Sequence, residues 1–167
     1  MTLAICAVFL FGLLLCTTRI WRINHELNAV EEGAPANRTR AGWYLDSISG
    51  RSGDSRTISA GLLRNRLGGE IAIVRHTAES LVFLGLVGTV IGFIVALSGV
   101  DPEASTRVDD VASMVGTLVA GMSIALYTTL VGAVLHVWLM INHRMLASGT
   151  SDLFNAIVEL GERRVGV

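Results

Sequence analysis

The stretch "SIALYTTLVGAVLHVWLMINH", Ser123 to His143, sets two adjacent threonines, Thr128 and Thr129, inside an apolar run and places His136 two turns later. A hydroxyl both donates and accepts hydrogen bonds, and an imidazole gains or loses a proton near neutral pH. Thr129 and His136 are seven residues apart, so on a helix they share nearly one face, about 10 Å apart along the axis. Ala125, Ala133 and Met122 fall on the same face by spacing. Such a face is small, mildly polar and free of fixed charge. It suits holding water or handling a proton, with His136 modulating from near the end of the helix. A threonine in a membrane helix can also satisfy itself on the carbonyl one turn back, which is a purely structural use. A second hydroxyl of interest, Thr89, lies between Gly88 and Gly92 in "LVFLGLVGTVIGFIVALSG". No apolar run carries paired acids, a His/Glu metal-binding spacing, or a serine beside a base with an orienting carboxylate. The expectation is therefore a protein that is not an enzyme, with no metal site and no cofactor.

The elements that must position these residues follow from composition. Of 167 residues, 51% are hydrophobic and only 16% charged, against about a quarter charged in an ordinary soluble domain. Mean hydropathy is +0.58. The net charge of −1 gives no reason to expect a nucleic-acid partner. Every fixed positive charge is an arginine. Cys6 and Cys16 share one apolar run, and ten helical residues separate them by about 15 Å, beyond disulfide reach.

Three runs are long enough to cross about 30 Å of hydrocarbon: Leu3 to Trp21, Leu81 to Gly99, and about Met114 to Ile141. The last is longer than a bilayer requires, so it tilts or projects. The first run has no basic residue before it and Arg19 and Arg22 at its end, the reverse of a secretory signal. It is read as an uncleaved span. Nine arginines run from Arg19, at the end of the first span, to Arg75, just before the second. The 100–113 connection has only Arg107, beside Asp101, Glu103, Asp109 and Asp110. The positive-inside rule then places the N-terminus outside, the long loop and the C-terminus in the cytoplasm, and the acidic loop outside. Trp21 and Trp138 fall where interfacial aromatics are expected. The resulting organisation is a first transmembrane helix (1–21), a cytoplasmic loop and helix (22–80), a hairpin of the second and third spans (81–142), and a cytoplasmic amphipathic tail (143–167). The fold class is an all-α integral membrane protein, three transmembrane helices with a cytoplasmic helical extension, in contact with membrane lipid.

Within the extension, Glu32 to Arg56 reads as irregular because it is rich in Gly, Ser, Asn and Arg. Ser59 to Ser80 has helical spacing interrupted at Gly68-Gly69. His76 sits just before the second span and reads as solvated. In the tail, Ser151 is placed to cap a new helix with Leu153, Phe154, Ile157, Val158 and Leu160 on one side. Small residues recur in both inner spans: Gly85, Gly88 and Gly92 in the second, and Gly116, Ala120, Gly121, Ala125 and Gly132 in the third. In lipid, small residues let helix backbones approach closely and pack by van der Waals contact. Of these, Gly85, Gly88, Gly92, Gly121, Ala125 and Gly132 are the expected packing positions.

The pair "LVFLGLVGTVIGFIVAL" and "VAGMSIALYTTLVGAV", joined by a short acidic loop, resembles the MotA/TolQ/ExbB proton-channel family. The likeness runs from about Glu79 to Trp138, on a Leu-Gly-x-x-Gly-Thr-Val-x-Gly core and a Thr-x-x-Gly core. It implies a bacterial inner-membrane subunit that assembles as a homo-oligomer, a pentamer, around single-span partners that each carry a membrane aspartate. It implies a motor or stator that couples ion-motive force to mechanical work. On this likeness Thr89 and Thr129 occupy the pore-lining threonine positions, and Thr128 and His136 join the ion-path candidates. Many members carry a glutamate five residues before the third-span threonine, where this chain has Ile124. The competing reading is a non-conducting membrane scaffold whose glycines and threonines only pack helices.

Overall fold

The computed structural model describes residues 1–31, 39–48, 53–100 and 108–165. They form four helices: α1 Thr2–Glu31, α2 Arg40–Ile48, α3 Gly53–Ser98 and α4 Val108–Val165. No strand occurs among the described residues. Three of the helices are long and apolar enough to cross a membrane, within Thr2–Val30, Arg56–Ser98 and Val111–Arg164, with mean hydropathies of 2.2, 2.5 and 2.0. The protein is an all-helical membrane protein with three apolar spans.

Several local expectations change. Each span belongs to a helix that continues well past the apolar run. The Gly68-Gly69 pair does not interrupt α3. Two glycines cost about 1 kcal/mol each in a helix interior, too little to break a helix anchored by packing on both sides. Ser151 begins no new helix, because α4 runs through it. Part of the segment expected to be irregular is helix α2, whereas the acidic connection 101–107 lies outside the described residues.

Contacts divide the chain into two compact units, Met1–Gly12 with His76–Met140, and Leu13–Arg75 with Ile141–Val167. In the first unit α3 and α4 form an antiparallel hairpin closed by small residues. Going up α3, Gly85 meets the backbone of Thr128 and Thr129, Gly88 meets the Thr128 side chain, Gly92 meets Ala125, and Ala96 meets Gly121. The α4 numbers fall as the α3 numbers rise. The approach is backbone to backbone: a Cβ on Gly92 would lie 2.6 Å from the Ala125 nitrogen, and one on Gly132 would lie 2.8 Å from the Leu81 carbonyl oxygen. All six expected packing positions are buried in this seam. Gly116 is not in it, since an added Cβ there would meet nothing within 4 Å. From α1, Gly12 packs against Leu139 and Thr77. Away from the seam the hairpin shows large apolar side chains, among them Phe83, Leu86, Phe93, Leu126 and Leu130, as surfaces facing lipid or a neighbouring chain do.

In the second unit the expected apolar side of the tail is used: Leu153 and Ile157 are fully buried. Helix α2 exists because Tyr44 and Ile48 pack onto Gly161 of α4, a contact more than a hundred residues away in sequence. Beside them, charges that look isolated in the sequence pair up. Glu70 bonds both Arg19 and Arg40, and Arg40 also lies 3.7 Å from Glu26.

Because the seam holds backbone against backbone, Gly92→Ala should open it, at a cost of about 1–3 kcal/mol for overpacking. Gly116→Ala adds the same methyl in open space and should be neutral or slightly stabilising. Thermal unfolding of the two purified variants in one detergent checks the ranking, and equal midpoints would displace the seam.

Candidate functional site

The hydroxyls of the hairpin divide by where they point. Those of Ser80, Thr89, Ser98, Thr117, Ser123 and Thr128 each donate to a carbonyl three or four residues back on their own helix. Such bonds satisfy the group within its own segment, as hydrocarbon requires. Thr129 behaves differently. Its hydroxyl donates across the seam to the carbonyl of Gly85 on α3, at 3.2 Å.

That carbonyl is the one the Thr89 amide addresses in the α-helical i to i−4 register. The two expected ion-path threonines are thus tied to one point of the hairpin. At Gly85 the α4 backbone lies within ordinary contact of α3, which brings the Gly85 carbonyl within reach of the Thr129 hydroxyl. Thr89 lies one turn beyond Gly85 and is half-buried, and Thr129 is exposed. By helical rotation of about 100° per residue, both fall on the same flank of the seam. Each hydroxyl proton is already committed to a carbonyl, Thr89 to Leu86 at 2.6 Å and Thr129 to Gly85. What remains on each oxygen is acceptor capacity. This arrangement can receive a hydrogen bond from water or from a protonated carboxyl, and it offers no charge that would hold a proton permanently.

Thr128 has a different place from its neighbour. It is 2% exposed, lies against Gly88, and donates to Ala125 and Ile124 of its own helix. The structure puts this threonine among the packing residues of the seam rather than on the open flank. Ala125, expected on the Thr129 face, is likewise buried in the seam, whereas Met122 and Ala133 remain exposed. His136 is half-buried, and its Nδ1 lies 2.7 Å from the Ala78 carbonyl of α3. Ile124, at the position where many family members have glutamate, is 46% exposed.

Sequence reasoning did not find the Gly85 and Ala78 carbonyls, because backbone acceptors have no signature of their own. The only available signal was Gly85 itself, a small residue opposite a threonine. Among the described residues, no group of three or more His, Cys, Asp or Glu could hold a metal ion.

No curated protein and no solved structure gives a significant match to the chain. The model of the MotA/TolQ/ExbB proton channel family matches residues 54–159, which is more than half of the chain and reaches past the hairpin at both ends. With its three apolar helices, its paired span motifs and a match of this extent, the chain belongs to the MotA/TolQ/ExbB proton channel family.

Proposed function

We propose that this chain is a subunit of a bacterial inner-membrane complex that conducts protons and couples their flow to mechanical work through a single-span partner. In this reading five copies surround the partner helices, and an aspartate on the partner takes up and releases the proton. The chain is a transport component and not a bond-breaking enzyme. Its N-terminus and the 101–107 connection face outside, and the long loop and C-terminus face the cytoplasm.

The observation that carries the reading is the Thr129 hydroxyl. It gives its proton to Gly85 and keeps its lone pairs on an exposed flank shared with Thr89. An acceptor is what a protonated carboxyl needs beside it, since the O–H must donate somewhere in a dry environment. Once the acid has lost its proton, the threonines hold it less well, which favours onward movement. Thr128 has no part in this step, and the glycines act indirectly by setting how close α3 and α4 come.

The topology follows from the arginine asymmetry. A reporter fused after Gly149 should be active only as a cytoplasmic tag, and one inserted near Ser105 only as an external tag. Reversal of both in whole cells would remove the orientation.

Thr129→Val keeps the β-branched shape and removes the acceptor, whereas Thr129→Ser keeps the oxygen. Leaving a buried polar group without a partner costs about 1–3 kcal/mol, or one to two orders of magnitude in rate. Proton flux in vesicles holding the chain with its partner should therefore drop by that factor for Thr129→Val and largely persist for Thr129→Ser, with assembly intact in both. Thr89→Val should act in the same direction. A non-conducting scaffold gives the opposite ranking for assembly, with Val tolerated and Ser mildly disruptive. Normal flux through Thr129→Val would end the threonine role.

A further inference from the structure

Where the apolar run of α1 gives way to charge, the second unit holds a cavity of about 490 Å³ lined by Trp21, Arg22, His25, Glu26, Thr39 and Arg40. That falls within the range of small-ligand sites, roughly 300–1,000 Å³. Trp21 to Glu26 covers about 7.5 Å of helix axis, and the headgroup layer on each side of a bilayer is about 5–8 Å thick. The cavity therefore starts at the end of the apolar run and matches the headgroups in depth. Leu14, seven residues before Trp21 and on the same face of α1, is 63% exposed, and Trp21 is 72% exposed. These two place open apolar surface beside the cavity on its hydrocarbon side.

Three arginines and two glutamates meet here, and their pairing leaves one group of each sign underused. Glu70 bonds Arg19 and lies 3.2 Å from Arg40. Arg40 Nε is 3.7 Å from Glu26 Oε2, close enough to offset charge but too far for a hydrogen bond. The Glu26 side chain is only 12% exposed, yet its Oε2 receives no hydrogen bond. Carboxylates as shielded as this ordinarily collect N–H donors. Arg22 is the complement. It is exposed, lines the same cavity, and forms no salt bridge among the described residues. Thr39 accepts from the Gly42 amide at 3.2 Å, so the start of α2 lies at the cavity with its partial positive charge. Trp21 meets His25 edge-on, with ring centroids 6.1 Å apart.

We propose that this cavity binds the headgroup of an aminophospholipid, with the phosphate on Arg22 and the start of α2, and the ammonium on Glu26 and the Trp21 ring. A guanidinium matches phosphate oxygens with paired N–H donors. An ammonium brings three donors to the unmet carboxylate, and a tryptophan face attracts a cation. Arg22 and Glu26 stand one turn apart on α1, about 5–6 Å between Cβ atoms. In an ethanolamine headgroup two carbons separate the phosphate oxygen from the amine, so one molecule reaches both. A purely anionic headgroup would set a second negative charge against Glu26, and a simple amine would leave Arg22 unmet. The inference does not depend on ion conduction. In the proposed orientation the site lies in the cytoplasmic leaflet.

The test uses the full chain purified in detergent, with lipid retention followed by native mass spectrometry. The probes are phosphatidylethanolamine, phosphatidylglycerol, and phosphoethanolamine without acyl chains. The wild type should hold phosphatidylethanolamine about tenfold more tightly than phosphatidylglycerol, the worth of one charge-assisted hydrogen bond. Free phosphoethanolamine should not displace it. Arg22→Gln should weaken both lipids about tenfold by the same arithmetic. Glu26→Gln should weaken phosphatidylethanolamine alone and bring the two lipids to equal affinity. Arg64→Gln, at an exposed arginine outside the lining, should change neither. Arg22 takes no salt bridge from the fold, so its variant reads the site even where Glu26→Gln melts early. Phosphatidylethanolamine brominated on its acyl chains should quench Trp21, measured as the difference between wild type and Trp21→Phe. Phosphatidylglycerol held as tightly by the wild type would overturn the amine subsite. Displacement by phosphoethanolamine would replace the lipid with a soluble phosphate. Equal retention by wild type, Arg22→Gln and Arg64→Gln would assign the lipid to the apolar surface at large and overturn the site.

Discussion

Everything in the hairpin depends on how closely the backbones of α3 and α4 approach. Lipid supplies no hydrophobic drive between helices, so close packing of small residues must hold them together. The Gly92–Ala125 and Gly132–Leu81 contacts leave no room for a single added carbon. That closeness does more than stabilise. It brings a carbonyl of one helix within reach of a side chain on the other, at Gly85 for Thr129 and at Ala78 for His136. In each case the cross-helix bond commits a side-chain proton to a backbone carbonyl of the other helix. Packing thereby sets hydrogen-bond polarity, and the polarity is what proton chemistry needs.

The same logic explains the use of uncharged groups. A carboxylate on this flank would bind a proton or a cation tightly and cost several kcal/mol to keep in hydrocarbon. Hydroxyl oxygens whose protons are already spoken for cost little and bind weakly. The hairpin can then border a charged species in transit without trapping it. In the proposed assembly the strongly titrating group belongs to the partner, and this chain supplies the surroundings in which that group changes state.

Much of this was legible in the sequence, and the parts that were not share a cause. The three spans follow from composition and length, and the glycine and alanine positions of the seam follow from their spacing. The paired motifs around Thr89 and Thr129 pointed to the family that the match over residues 54–159 then showed. What one chain of letters does not encode is rotation about the helix axis relative to a partner. Thr128 and Thr129 differ by about 100° on the wheel, and only the seam decides which of them is inside. Helix α2 escaped for a similar reason. Its nine residues have little intrinsic tendency to form a helix alone, and Gly161, which receives Tyr44 and Ile48, is remote in sequence. The Gly68-Gly69 pair misled in the opposite direction, as a local penalty outweighed by the long helix around it.

The adjacent threonines have a consequence for how this chain can change over time. Identical letters at 128 and 129 answer to unlike demands: the first is judged by volume, because Gly88 sits against it, and the second by chemistry, because its oxygen is the feature on show. In the proposed assembly, drift at 128 can wander among compact side chains whether or not they carry oxygen, whereas drift at 129 can wander in size only as long as a hydroxyl survives. A one-residue insertion in α4 before this pair would turn both by about 100°, bringing Thr128 to the flank and carrying Thr129 past it, and a deletion would turn Thr129 into the seam. Helix length ahead of the pair is therefore under stricter control than the identity of the residues that fill it.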